Sequence, residues 1–273
     1  MFFPDPYHIA LKAAVDASAL IMEYYTGAVH TEIKSDGSPV TDADLASSAL
    51  IHERLAKTDW PVMGEEIRNA SYAERKNWKE FWCVDPLDGT KEFIRRNGEF
   101  AVNIALIDGG KPVFGIIASP VQSEIIFGGE NTGVYFSSFE DYSSSDKWQE
   151  LKKPVAIGKP LALISSRSHH DGISLDFINA LKAEFGEVEL LQKGSSLKFF
   201  DLALVQADIY PRFAPTMEWD IASGQAILEG LGGAVIHAVT GKPLVYNKEN
   251  LLNAHFIAKT APFLQKEETS ANG

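Results

Sequence analysis

Trp82-Cys83-Val84-Asp85-Pro86-Leu87-Asp88-Gly89-Thr90 joins an apolar strand to a turn that carries two carboxylates three residues apart. Residues 81–84 form the strand, which anchors the first acid. Pro86 fixes its own φ and steers Asp85 away from helix, while Asp88-Gly89 marks a tight turn. Both carboxylates therefore fall on one side of a rigid loop. Hard divalent cations prefer such oxygens, and the Leu87 carbonyl between the acids adds another. Beyond the turn, the amides of Gly89 and Thr90 open a short helix and offer N–H groups to a phosphate oxygen. The competing reading is a solvated Asp-Gly turn between two elements.

Further acids lie outward from this stretch. Gly64-Glu65-Glu66 follows the apolar Pro61-Val62-Met63, Thr41-Asp42-Ala43-Asp44 leads into a helix over 42–55, and Glu218-Trp219-Asp220 leads into one over 220–230. Each has a simpler explanation. Glu65 and Glu66 suit a solvated edge, and Asp42, Asp44 and Asp220 suit helix caps. Four acidic sites at strand ends and helix starts, taken together, point to a shared cation centre.

The remaining pattern supplies a frame for these acids. Ile9, Ala13, Ala17, Leu20, Ile21 and Tyr24 recur at helical spacing over 7–25, ending near Gly27, and a polar loop covers 34–39. Residues 101–107 and 112–118 read as strands joined by Asp108-Gly109-Gly110, making a three-stranded antiparallel piece with 81–84. The serine-rich stretch 135–153 marks a junction near 150, dividing an N-terminal α+β part, 1–150, from a C-terminal α/β part, 151–273. The second part alternates strands at 161–165, 187–191, 207–211 and 234–237 with helices at 173–185, 196–205 and 220–230, an α/β layer arrangement. Gly230-Leu231-Gly232-Gly233 reads as a helix C-cap and not a nucleotide fingerprint, because it follows a helix and precedes a strand. The polar tail, 266–273, is expected to fray.

Bulk properties narrow the partners. The chain has 273 residues, 45% hydrophobic, with 25 Lys+Arg against 37 Asp+Glu and a net charge of -12, which opposes binding to a nucleic-acid polymer. A small phosphate ester remains compatible where carboxylate-held cations make the local site positive. The single cysteine, Cys83, excludes a disulfide framework and a cysteine zinc site and fits a reducing cytoplasm. Lys12, Asp16 and Glu23 interrupt the run from Ile9 to Tyr24, so neither a secretory leader nor a transmembrane segment is expected. A monomer or homodimer in the cytoplasm, free or peripheral on the cytoplasmic face of the inner membrane, is compatible with this composition.

The runs around Asp85-Pro86-Leu87-Asp88-Gly89-Thr90, the Glu65-Glu66 pair after Gly64, Pro39-Val40-Thr41-Asp42-Ala43-Asp44 and Trp219-Asp220-Ile221-Ala222-Ser223-Gly224 resemble the ordered motifs of the inositol monophosphatase superfamily and span most of the chain. Within it, Asp88-Gly89-Thr90-Lys91-Glu92-Phe93-Ile94, Arg96-Asn97-Gly98-Glu99-Phe100 and Val102-Asn103-Ile104-Ala105-Leu106 resemble the bacterial 3'(2'),5'-bisphosphate nucleotidases more than the inositol enzymes. The resemblance implies an α/β (α+β) chain folded as a layered α-β-α-β-α sandwich of the inositol monophosphatase / fructose-1,6-bisphosphatase type. It further implies that Glu65, Asp85 and the Leu87 carbonyl hold one Mg²⁺, that Asp85, Asp88 and Asp220 hold a second, and that a third, weaker Mg²⁺ lies near Glu65. Asp44 and Thr90 would orient and deprotonate the attacking water. Substrate contacts would fall to Glu65, Leu87, Asp88, Gly89, Thr90 and Asp220. Lithium sensitivity is expected on the same ground.

Specificity must then come from the second part. The relatives that cleave adenosine bisphosphates use a His, a Ser, a Lys and an Arg in corresponding segments, and His169, Ser195, Lys198 and Arg212 are the nearest matches. They would hold the 5'-phosphate and ribose. The plainer reading makes Lys198 a solvated helix residue and His169 a surface histidine. The expected substrate is adenosine 3',5'-bisphosphate, a by-product of sulfate activation, with its sulfated analogue second. Alternatives are an inositol or sugar monophosphatase and a non-catalytic metal-binding regulator, which would need neither Thr90 nor Asp44.

Overall fold

A computed structural model describes residues 3–166 and 172–271. Helix α1 (Asp5–Thr26) starts with Asp5 and a proline in its first turn, where a missing N–H costs nothing, and buries Ala10, Ala14, Ala17 and Ile21 along one face. A small hairpin follows, β1 (Thr31–Ile33) and β2 (Pro39–Thr41), and leads into α2 (Asp42–Leu55). Next come β3 (Val62–Gly64), the single-turn α3 (Tyr72–Arg75), β4 (Glu80–Asp88), the short α4 (Thr90–Ile94), β5 (Ala101–Asp108), β6 (Lys111–Ser119), β7 (Glu124–Gly129), β8 (Gly133–Ser138) and β9 (Gln149–Glu150). Strands β3 to β9 form one seven-stranded sheet in chain order, antiparallel except for the parallel pair β3–β4.

The second half holds β10 (Leu161–Ser165), α5 (Gly172–Phe185), β11 (Val188–Gln192), α6 (Leu197–Ala203), β12 (Ile209–Arg212), α7 (Glu218–Gly230), β13 (Ala234–His237), β14 (Phe256–Lys259) and α8 (Ala261–Ala271). Its five-stranded sheet runs β11-β10-β12-β14-β13, with β10 parallel to both β11 and β12 and β14 antiparallel to its neighbours.

Three apolar layers bind these pieces into the α-β-α-β-α sandwich. Helices α1 and α2 cover the outer face of the first sheet, burying Leu11, Ile21 and Ile51 with Trp82, Ile104 and Phe114. Helices α6 and α7 lie between the sheets, where Phe199, Trp219 and Ile227 join Phe81, Ala105 and Ile117 from one sheet and Tyr210 and Phe256 from the other. On the far side, Ile178 and Leu181 of α5 and Phe263 of α8 pack on Leu163, Ile209 and Ile257. Because β5 is covered on both faces, it reads as a nearly continuous apolar run.

Several elements depart from the sequence expectations. The strand expected at 81–84 continues to Asp88, so the two acids sit on the strand's end and not in a loop beyond it. Its pairing with β5 shifts register between Asp85 and Asp88, across Pro86, which has no N–H to give the ladder. The three-stranded piece is part of a seven-stranded sheet, and the serine-rich stretch contains most of β8 and all of β9. Strand β12 begins at Ile209, not 207, β14 was not anticipated, and the tail is helical through Ala271. Helix α7 does end at the glycine run, where the Gly232 and Gly233 amides donate to the Glu229 and Leu228 carbonyls at 2.8 and 2.9 Å.

Candidate active site

Strand alternation aims the first acids. Phe81 and Cys83 of β4 face the inner helix layer, Trp82 and Val84 the outer one, so Asp85 continues the inner row. The register sets Asp85 opposite Asn103, which lies on the inner row of β5 between Ala101 and Ala105. Parallel β3 delivers Glu65 alongside, its N–H donating to the Val84 carbonyl at 3.1 Å. Asp220 arrives from the other half of the chain in the first turn of α7, where its Oδ2 accepts the Met217 N–H at 2.8 Å. One oxygen each from Glu65, Asp85 and Asp220 lies within 4.8 Å of the others.

Such a cluster is unstable as bare anions. Burial raises the Asp85 carboxyl well above its ordinary value, and the charges of Glu65, Asp88 and Asp220 push it further. Asp220 is raised in the same way, by burial and then by Asp88. Burial raises Asp88 too, opposed by Lys198 and by the N–H groups of Ser196 and Asn103. Oxygen-only donors whose negative charge is only partly compensated, by Lys34 at Glu65 and by Lys198 near Asp88, fit a hard divalent cation, so the residues present suit a metal centre. The Leu87 carbonyl is next to this cluster in the chain, and the Leu87 N–H donates to Asp85 Oδ1 at 3.1 Å.

Asp44 combines two roles. At the third residue of α2 its Oδ2 accepts the Thr41 N–H at 2.7 Å and the Thr41 hydroxyl at 2.6 Å, capping the helix. Its Oδ1 accepts the Thr90 hydroxyl at 2.8 Å. Thr90 stands at the start of α4 because Gly89, at φ +101°, turns the chain through the left-handed region; a Cβ there would also meet the Glu99 carbonyl at 3.0 Å. Burial raises the Asp44 carboxyl, while the Thr41 and Thr90 bonds pull it back.

A cleft of about 270 Å³ opens beside the carboxylates. Asp88, Gly89 and Asp220 line it together with Ser195, Lys198, Tyr210 and Arg212. Lys198 is buried at 4% exposure, its Nζ donating to the Lys193 carbonyl at 3.3 Å and to the Ser195 carbonyl, and lying 5.2 Å from the Tyr210 ring centre. Burial lowers its pKa to about 8, with Asp88 working the other way and Arg212 adding to the lowering. Arg212 donates to the Ser166 hydroxyl and, through Nη2, to the Pro215 carbonyl at 3.2 Å, while its buried Nε has no hydrogen-bond partner among the described residues. His169 lies outside the described residues.

Two residues of the site carried no role in the sequence reading. Lys34, from the loop between β1 and β2, donates to Glu65 Oε1 at 2.7 Å and pairs with Glu66. Burial disfavours its charge, but the two glutamates prevail and raise its pKa. Nothing local in the sequence couples a loop lysine to acids about thirty residues away. Asn103 is fully buried and bonds Asp88 and Ser196; the signal for it is a lone amide in the apolar run of β5. Among the described residues, no helix is long and apolar enough to cross a membrane.

Comparison with known proteins places this geometry. The Inositol monophosphatase family model matches residues 5–269. The 3'(2'),5'-bisphosphate nucleotidase CysQ of Escherichia coli (strain K12) is 40% identical over 255 residues, covering 90% of this chain and 96% of that protein. CysQ of Salmonella typhimurium is 41% identical with the same coverage. The crystal structure of CysQ from Bacteroides thetaiotaomicron, a bacterial member of the inositol monophosphatase family, superposes with a TM-score of 0.84 at 39% identity, covering 95% of this chain and 98% of that one.

Proposed function

The chain belongs to the inositol monophosphatase family, and we propose that within it the protein is a 3'(2'),5'-bisphosphate nucleotidase, hydrolysing adenosine 3',5'-bisphosphate to AMP and phosphate in sulfur assimilation. The observation that carries this reading is a single cleft with two anion positions: carboxylates suited to cations at Asp88 and Asp220, and a cationic lining in which Lys198 and Arg212 stand with Lys91 and Lys193. A monophosphate has no use for the second position. The 40%-identical relatives that bear the same activity in their names support the same substrate class.

In this reading Glu65, Asp85, Asp88 and Asp220 and the Leu87 carbonyl hold two Mg²⁺ ions, with a third, weaker ion near Glu65. Bound Mg²⁺ supplies Lewis-acid polarisation of the attacking water and offsets charge on the phosphoryl group. Thr90 Oγ1, whose own proton is directed to Asp44, presents its lone pairs to that water and accepts its proton while passing its own to the Asp44 carboxylate, which becomes neutral. Lys198 and Arg212 bind the 5'-phosphate, the arginine presenting a planar fork of donors and the lysine a point charge held by the Ser195 carbonyl. Ser195 and His169 border the ribose. Attack in line breaks the bond from phosphorus to the 3'-oxygen, and that oxygen takes a proton from water in the cleft as AMP leaves. In the same reading the enzyme works in the cytoplasm as a monomer or homodimer, and the sulfated analogue of adenosine 3',5'-bisphosphate is a second substrate.

Phosphate release from adenosine 3',5'-bisphosphate, measured beside inositol 1-phosphate with Mg²⁺, with EDTA and with added Li⁺, tests the reading. The expected result is a Mg²⁺-dependent, Li⁺-sensitive preference for the nucleotide. Preference for the inositol ester would retain the metal chemistry and discard the second anion position.

A further inference from the structure

Asn103 is the one polar residue on the inner row of β5, flanked there by Ala101, Ala105 and Ile107, and it is fully buried. Its bonds close a ring across the two halves of the chain. Asn103 Nδ2 donates to Asp88 Oδ2 at 3.2 Å, the Ser196 hydroxyl donates to Asn103 Oδ1 at 2.7 Å, and the Ser196 N–H donates to the same Asp88 oxygen. The amide orientation is dictated by chemistry, since a carboxylate only accepts and must face the NH₂ group. With two donors on Oδ2, Asp88 is left to present Oδ1 to the cleft.

The other end of the ring is the start of α6. Ser196 immediately precedes that helix, and the carbonyl of its neighbour Ser195 receives the Lys198 ammonium. Ser195 is held at φ +50°, a backbone state that an ordinary residue adopts only when its surroundings enforce it. Ser196 at 3% exposure and Lys198 at 4% have little access to water for replacement partners. A continuous line of partly buried hydrogen bonds, joined through the Ser195–Ser196 peptide, therefore runs from Asp88 to the lysine of the second anion position.

We propose that Asn103, acting with Ser196, is the positioning residue that sets the spacing between the two anion positions, and so selects substrates carrying two phosphates. This rests on the bisphosphate nucleotidase reading. A residue serving only the fold or only metal binding would affect all phosphate esters alike. A spacer affects those that engage both positions.

The test compares kcat/KM for adenosine 3',5'-bisphosphate with that for adenosine 3'-monophosphate, which keeps the base, the ribose and the scissile ester and lacks the second anion. Asn103→Ala is expected to lower the bisphosphate value by about 10- to 100-fold, the scale of losing charge-assisted hydrogen bonds to the second phosphate. The monophosphate value should fall much less, so the ratio collapses. Ser196→Ala should collapse the ratio from the other end of the ring, and the double variant should add little, because both break one linkage. Should Asn103→Ala fail to fold, Ser196→Ala decides alone. A ratio unchanged in the variants overturns the linkage and leaves the substrate reading standing, whereas a wild-type enzyme without preference for the bisphosphate overturns the substrate reading first.

Discussion

Asp44 shows why a capping carboxylate and a working one are hard to separate by position alone. Helix-start acids usually cap, and Asp44 does cap, but only through Oδ2; the remaining oxygen is free to order Thr90. The Thr90 hydroxyl has no such structural duty: its second contact, to the Leu87 carbonyl at 3.4 Å, is long. Thr90→Ala should therefore leave Mg²⁺ affinity by calorimetry close to that of the wild type. Turnover should drop by about 10²- to 10⁴-fold, the range for losing a positioned proton acceptor. Full turnover in this variant would remove Thr90 from the handling of water.

At the scale of elements, the site depends on α7 lying close against the first sheet, since this helix carries Asp220 to Asp85. Gly115 of β6 permits that approach: a Cβ there would lie 2.2 Å from the Ser223 carbonyl oxygen and 2.8 Å from its Cα. Backbone atoms cannot swing aside as a side-chain tip can. Gly115→Ala should thus cost about 1–3 kcal/mol in urea unfolding, as overpacking does, and a cost near zero would mean that α7 does not rest on β6 as described. Such a contact joins residues over a hundred positions apart, which explains what the sequence could reveal and what it could not. Helices α1 and α2 and the strands β5 and β6 announce themselves through their own periodicity or their turns. Strand β8, partly exposed except at Val134 and Ser137, instead reads as serine-rich loop, and β14 is held mainly by β12 and β13 on either side. The acids of the site were legible because strand ends and helix starts are local features. Lys34 was not, and Asn103 shows only as a lone amide in an apolar run, because the partners of both are fixed by the tertiary arrangement.

For the whole molecule, the carboxylate centre is a joint. Glu65 and Asp85 come from the seven-stranded sheet and Asp220 from the helix layer contributed by the second half, so their mutual repulsion acts across the plane where the halves meet. Asp85 and Asp220 have carboxyl pKa values raised well above the ordinary 3.8. Above that value the metal-free native state therefore holds more protons than the unfolded chain, and its stability falls as pH rises until both carboxyls have ionised. A cation bound to the native state alone reverses this loss, by about 2.7 kcal/mol at a hundred times its dissociation constant. With roughly 2–4 °C per kcal/mol for a chain of this size, Mg²⁺ at neutral pH should raise the melting temperature by roughly 5–10 °C over EDTA. Lowering the pH should shrink that difference as protons replace the cation. Asp220→Asn separates repulsion from simple loss of a ligand: the amide removes a charge and keeps an oxygen to accept the Met217 N–H. The variant should melt above the metal-free wild type and respond little to Mg²⁺. If instead it melts lower in EDTA and keeps the full Mg²⁺ shift, the cation is not held at the junction of the two halves.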